Sequence, residues 1–168
     1  MNITTKSNII GSNIKRLQIE YKEYHKDPNY FYSIEIDPTN FLKWNILLLG
    51  PNDTIFEGGI FKCELIFPKE YPNRPPEFRF IDNLFHPNIY KDGKVCISIL
   101  HEGIDVYGYE NISERWNPSQ SVNTILMSII SMLPDPNFES PANVDASKLW
   151  KENFTEYKKI IYSMIAKY

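Results

Sequence analysis

Three strand-length apolar runs follow one another between residues 30 and 67, and their spacing constrains the fold more than any other feature. Residues 30–36 alternate apolar and polar side chains and close at Asp37-Pro38. Residues 41–49 are more uniformly apolar and stop at the turn cluster Gly50-Pro51-Asn52-Asp53. Residues 59–67 alternate again, with Phe61, Cys63, Leu65 and Phe67 on one face. A parallel pair needs a crossover of about a dozen residues or more, and these connections are shorter, so the runs predict an antiparallel meander. The next segment, PKEYPNRPP at 68–76, holds four prolines and is excluded from a helix interior or a central strand. It reads as a stiff exposed loop with Tyr71 as an anchor, and residues 77–81 supply a candidate fourth strand.

Helical patterns flank the meander. Ile10, Ile14, Leu17, Tyr21 and Tyr24 recur at spacings of four, three, four and three. Ser7 or Asn8 is the candidate cap of that helix, and Asp27-Pro28 ends it. Residues 121–133 carry Val122, Ile125, Leu126, Ile129, Ile130 and Leu133, which leave little polar surface and predict a buried helix stopped by Pro134 and Pro136. Asp145 is the candidate cap of a short helix reaching Trp150. A last helix puts Phe154, Tyr157, Ile161, Met164 and Tyr168 on one stripe. The order helix, antiparallel strands, helices predicts a single α+β domain over residues 1–168, without repeats or a linker. Residues 101–115 interrupt it as a long loop with no clean period and a net charge of −3.

The charge balance narrows the function. The net charge is −3, which argues against a nucleic-acid binder that relies on neutralising phosphates. Residues 1–26 nevertheless carry +3, leaving −6 for the remainder, and this basic first element suits either an acidic partner or plain solvation. No apolar run approaches the roughly 20 residues of a membrane span. Only two cysteines occur and the N-terminus lacks a continuous apolar signal core, so the expected compartment is reducing and faces the cytosol.

The stretch from Phe85 to Leu100, FHPNIYKDGKVCISIL, carries the candidate chemistry. A deprotonated thiol is a strong nucleophile, and an amide can donate to a developing oxyanion. Asn88 stands eight residues before Cys96 across an Asp92-Gly93 turn, which suggests acyl transfer through a thioester. Cys63, on the apolar face of its run, reads as a core thiol. His86 is either a base for Cys96 or a structural residue of a rigid His-Pro-Asn corner. His86, Cys96 and His101 fit no paired zinc spacing, and residues 50–59 lack a phosphate-binding signature, so neither a metal nor a nucleotide is expected.

Taken together, several motifs resemble the ubiquitin-conjugating enzymes. They are Ile14-Lys15-Arg16-Leu17, Gly50-Pro51-Asn52-Asp53-Thr54, Tyr71-Pro72 with Pro75-Pro76, His86-Pro87-Asn88, Cys96, Trp116 with Pro118, and Asp135-Pro136-Asn137. Each is weak alone, but their order and spacing are specific, and they run from about Ile14 to the C-terminus. The 98–110 loop, Glu114-Arg115-Trp116 and the 140–146 segment resemble the long-loop G-type branch, which includes enzymes serving protein degradation at the endoplasmic reticulum.

The resemblance implies a ubiquitin-conjugating enzyme fold, with a four-stranded antiparallel sheet flanked by helices. It implies that Cys96 takes ubiquitin as a thioester from an activating enzyme and passes it to a substrate lysine with a ligase's help. It assigns Asn88 to the oxyanion or to bracing the loop that carries the site. Where many members carry an acid this chain has Ser140, a weaker candidate for lysine activation, with His101 as a second. Lys15 and Arg16 are assigned to activating-enzyme docking. The first helix, Tyr71, Pro72, Asn73 and Arg74, and the loop with Pro118 and Ser119 are assigned to a RING-type ligase. Asn73 replaces the large apolar residue that relatives often place there. No cofactor is implied, since ATP is used by the activating enzyme. The resemblance further implies a cytoplasmic enzyme recruited to the endoplasmic reticulum surface by a partner. The rivals are a carrier of another ubiquitin-like modifier, a non-catalytic binding module, and a cysteine hydrolase; the last is disfavoured because the sequence identifies no base and orienter beside the thiol.

Overall fold

The computed structural model describes residues 4–108 and 110–166, with side chains from residue 11 onward. Helix α1 (Thr4–Lys26) starts before Ser7, so Ser7 and Asn8 lie inside it rather than cap it. The side chains of Ile10 and Tyr168, each at one end of an expected stripe, fall outside the described residues. Leu17 is fully buried, and Tyr21 meets Trp44 of the sheet edge-on at 5.6 Å between ring centroids.

Strands β1 (Tyr32–Asp37), β2 (Asn40–Leu49), β3 (Ile60–Ile66) and β4 (Glu77–Phe80) form one antiparallel sheet in sequence order. Register follows the buried alternation: Ile34 faces Ile46, Ile46 faces Cys63 and Cys63 faces Phe80, a single apolar row across four strands. Strand β1 starts at Tyr32 rather than at Tyr30, which is 93% exposed. Opposite that row the sheet leaves Leu47, Leu49, Ile60 and Ile66 partly open to solvent.

Helix α2 (Val122–Met132) is buried along Val122, Ile125, Leu126, Ile129 and Ile130. Ser121 and Thr124 close a reciprocal capping box at its start. Helix α3 (Val144–Glu152) is capped by Asn143, whose side chain accepts from the Ala146 amide. Asp145 therefore lies one residue inside the first turn, and the expected cap is corrected to Asn143. Both residues suit a helix start, but only Asn143 has the extended backbone that a cap requires. Helix α4 (Phe154–Ile165) buries Tyr157 and Ile161, and the Tyr157 hydroxyl donates to the Phe85 carbonyl at 2.7 Å.

One carboxylate joins α1 to two loops and to α2. Glu20 Oε1 accepts from Arg16 Nε at 2.7 Å and from the Tyr71 hydroxyl at 2.5 Å, while Oε2 accepts from the Val122 amide at 2.7 Å. Arg16 also donates to the carbonyls of Pro118 and Gln120 at 2.9 and 2.7 Å. Trp116 Nε1 donates to the Pro72 carbonyl at 2.8 Å.

The turn before Cys96 depends on Gly93. Its φ is +91°, and a Cβ there would stand 2.0 Å from the Phe80 carbonyl oxygen of β4. Gly93→Ala is expected to cost about 2–3 kcal/mol, from left-handed strain together with displacement of β4. Thermal denaturation measures the loss, and an unchanged midpoint would show that the turn relaxes freely.

Candidate active site

The turn of residues 90–93 folds the chain back so that 94–96 run beside 88–89. Tyr90 N–H donates to the Lys94 carbonyl at 2.8 Å, and Cys96 N–H donates to the Asn88 carbonyl at 2.9 Å. Val95 points into the core at 3% exposure, which turns Cys96 outward to a half-buried position.

His86 and Asn88 pin this stretch to the end of α2. His86 is fully buried; its Nδ1 accepts from the Asn88 amide at 3.0 Å and its Nε2 donates to the Leu133 carbonyl at 3.1 Å. Both nitrogens are thus taken by backbone groups, and burial lowers its pKa to about 4. His86 is a neutral structural residue, which settles the open choice made from sequence. The Asn88 side chain, 2% exposed, donates from Nδ2 to the Asn137 carbonyl at 2.7 Å and accepts at Oδ1 from the Asn137 amide at 2.8 Å. That two-point clamp ties the stretch before Cys96 to the segment that follows α2.

A histidine and a carboxylate meet the thiol. His101 Nε2 stands 3.4 Å from Cys96 Sγ, and its Nδ1 donates to Glu110 Oε1 at 2.9 Å. Arg115 holds Glu110 from the far side and donates to the carbonyls of Gly103 and Glu102 at 2.8 Å each. The Tyr90 hydroxyl donates to Cys96 Sγ at 3.7 Å. The facing His101 lowers the thiol's pKa, with help from Tyr90 and against the opposing effect of burial. The same contact raises the His101 pKa, and Glu110 adds to it. Across this contact each group shifts the other toward its charged form, the sulfur toward thiolate and the imidazole toward imidazolium.

A base and an orienter do accompany the thiol, so the ground given against a hydrolase is corrected. Glu110 lies nine residues from His101 in a loop without periodicity, and no sequence signal points to the pairing. The loop is also tied internally, by Arg115 and by Trp116 N–H donating to the His101 carbonyl at 2.9 Å.

A cleft of about 300 Å³ opens between this group and the end of α2, lined by Asn88, Cys96, His101 and Ser140. Glu110, Glu114, Asp135 and Glu139 add four carboxylates to its wall. Both lysine-activation candidates from sequence, Ser140 and His101, thus share one cleft with Cys96. Among the described residues no group of His, Cys, Asp and Glu is arranged to hold a metal ion.

The docking candidates divide by burial. Tyr71 is 1% exposed and supports its loop through Glu20 rather than presenting a ring to a partner. Arg16 is engaged inside the molecule, which leaves Lys15 exposed beside it. Asn73, Pro118 and Ser119 are exposed, Pro72 is half-buried, and Arg74 pairs with Glu102 at 3.0 Å. Arg16 and Trp116 bring these two loops and α1 onto one surface.

The other thiol, Cys63, is 2% exposed, and burial raises its pKa well above the ordinary range. Alkylation of the folded protein therefore reads Cys96. His101→Gln is expected to move the pH profile of that alkylation upward, because the thiolate loses its main stabilising partner. The rate near neutral pH should fall while the high-pH plateau is kept, and a superimposable profile would rule out that shift of the sulfur by His101.

Relatives agree with the geometry. The family model described as ubiquitin-conjugating enzyme matches residues 16–165. The chain is 57% identical over 125 residues to probable ubiquitin-conjugating enzyme E2 7 of Caenorhabditis elegans, covering 74% of this chain and 76% of that one. It is 48% identical over 159 residues to human ubiquitin-conjugating enzyme E2 G2, covering 94% and 96%. Against ubiquitin-conjugating enzyme E2 7 of Arabidopsis thaliana it is 47% identical over 153 residues, covering 90% and 92%. With nearly its full length matched at this identity, the chain belongs to the ubiquitin-conjugating enzyme family.

Proposed function

We propose that Cys96 is the residue that carries ubiquitin as a thioester, and that the acidic cleft beside it receives the acceptor lysine. As a ubiquitin-conjugating enzyme the chain is a transferase with a cysteine thioester intermediate, and ubiquitin, an activating enzyme and a ligase are its partners. The observation that carries the choice of residue is the contrast between its two thiols. Cys63 is buried among apolar side chains with a raised pKa, whereas Cys96 reaches a cleft with its pKa lowered by His101.

The Cys96 thiolate attacks the thioester carbonyl that the activating enzyme presents; the new C–S bond forms as the old one breaks, and the departing thiolate takes up a proton, which leaves a neutral His101 beside the acylated sulfur. That sulfur no longer takes a proton from His101. The imidazole, held through Nδ1 by Glu110, then accepts a proton from the incoming lysine, and the cleft's carboxylates attract that lysine's charge. Ser140 hydrogen-bonds the amine as it enters. The second N–H of Asn88, beyond the one spent on Asn137, donates to the tetrahedral oxygen. The enzyme acts as one catalytic domain and needs no cofactor of its own, ATP being consumed by the activating enzyme.

Lys15, with Arg16 ordering the surface behind it, docks the activating enzyme. The ligase is of RING type and sits on α1, the 71–74 loop and the 117–120 loop, the surface that Arg16 and Trp116 tie together. Recruitment of a cytosol-facing enzyme to the endoplasmic reticulum surface rests on the long-loop G-type resemblance. Among the described residues no helix is long and apolar enough to cross a membrane.

Charging with activating enzyme, ATP and ubiquitin is expected to yield an adduct that thiol reducing agents remove and that Cys96→Ala cannot form. An adduct formed only with another modifier would reassign the cargo, and an adduct persisting in Cys96→Ala would refute the choice of residue. Replacing residues 102–114 with a short linker should lower discharge to free lysine by about a hundredfold, the lower end of what a positioned base contributes, with charging little changed. Equal loss in both steps would sink the role of the loop.

A further inference from the structure

A second groove meets Cys96 on the side away from α2, and a lysine lies in it. Cys96, Lys94, Tyr90, Glu77 and Glu102 line this groove. Lys94 and Cys96 are two residues apart in extended chain with Val95 buried between them, so their side chains project from the same face. Their Cα atoms are then about 7 Å apart, a span that an extended lysine side chain covers. The Lys94 ammonium is engaged by Glu77 of β4, whose Oε2 pairs with Lys94 Nζ at 3.0 Å. Arg79 pairs with the other Glu77 oxygen at 2.8 Å and fixes the carboxylate in place. The other carboxylate in the groove, Glu102, is taken by Arg74.

We propose that Lys94 is a self-modification site, an internal acceptor that takes the acyl group from charged Cys96 and that Glu77 restrains by tethering its ammonium. The inference rests on the reading of Cys96 as the thioester residue. Once Lys94 leaves Glu77 and loses a proton to solvent, the Nζ lone pair attacks the thioester carbonyl carbon. The new N–C bond forms as the C–S bond breaks, its electron pair leaving on Cys96 as thiolate, and the second amine proton goes to solvent. The product is an isopeptide on Lys94 with a free Cys96 beside it. A ubiquitin fixed there fills the groove next to the sulfur, so the reaction switches off an enzyme that stays charged without an acceptor.

The pair is half exposed, and such pairs are weak. The restraint is therefore modest, and its removal has a readable rate effect. The full chain is charged with ubiquitin, ATP is removed, and the sample is incubated without acceptor at about pH 9, where a larger share of lysine is neutral. Thiol-resistant product is then mapped by peptide mass. The expected result is a branch on Lys94 whose rate does not depend on protein concentration. Lys94→Arg should lose it with unchanged charging, and Glu77→Gln should accelerate it about two- to fivefold. A thiol-sensitive adduct on Cys96 with no branch on Lys94, in wild type or in Glu77→Gln, would overturn the proposal and leave the thioester reading standing. A branch whose rate rises with protein concentration would overturn the internal transfer. No thiol-sensitive adduct at all would overturn both readings.

Discussion

Everything around Cys96 depends on how the segment of residues 86–88 is fastened to the end of α2. A buried imidazole and a buried amide are costly to desolvate, and each is retained only with its hydrogen bonds made. His86 spends its two nitrogens on the Asn88 amide and the Leu133 carbonyl, and Asn88 spends its side chain on both backbone groups of Asn137. These bonds set the distance between the stretch that carries the thiol and the 134–140 segment that forms the opposite wall of the cleft. The Asn88 carbonyl then receives the Cys96 amide, so the same residue that joins the two walls also places the nucleophile.

On that rigid base the long loop contributes adaptable chemistry. Its two ends are joined through Arg115 and Trp116, and His101 is turned toward the sulfur with Glu110 behind it on Nδ1. The arrangement looks like that of a cysteine hydrolase, yet the chain belongs to a family of acyl carriers. A sulfur shifted toward thiolate by the imidazole serves both chemistries at the first step, because each begins with a thiolate. What separates them is the acceptor: with Glu110 engaged by His101 and Arg115, the proposed amine entry rests on the carboxylates of Glu114, Asp135 and Glu139 along the cleft. The groove on the other side of Cys96 holds Lys94, paired with Glu77.

Much of this was legible in the sequence. Short connections between alternating runs dictated the meander, and the continuous apolar faces of residues 122–133 dictated a buried helix, because those patterns report burial directly. Cys63 was legible as a core thiol from strand alternation for the same reason, whereas Cys96 stood out through Asn88 across the Asp92-Gly93 turn and through the family resemblance. The rest depended on side-chain geometry that no spacing encodes. Asn143 and Asp145 are equally suited by type to a helix start, and backbone conformation decides between them. Arg16 looked like a free cation of a basic helix, yet carbonyls from a loop about a hundred residues later occupy it. Glu110 meets His101 only because Arg115 folds the loop back, and an aperiodic acidic segment gives no sign of that.

The most direct test of the account is the titration of His101 by NMR, in the free enzyme and with Cys96 carrying a stable acyl group. The contact predicts that His101 in the free enzyme titrates above an ordinary histidine, since the facing sulfur is the chief cause of its raised pKa. Acylation removes that cause, so the titration should fall toward the ordinary range of about 6.5, with the imidazole becoming neutral near physiological pH. A His101 whose titration is the same in both states would contradict the mutual shift of sulfur and imidazole, and with it the role of the loop in activating the lysine.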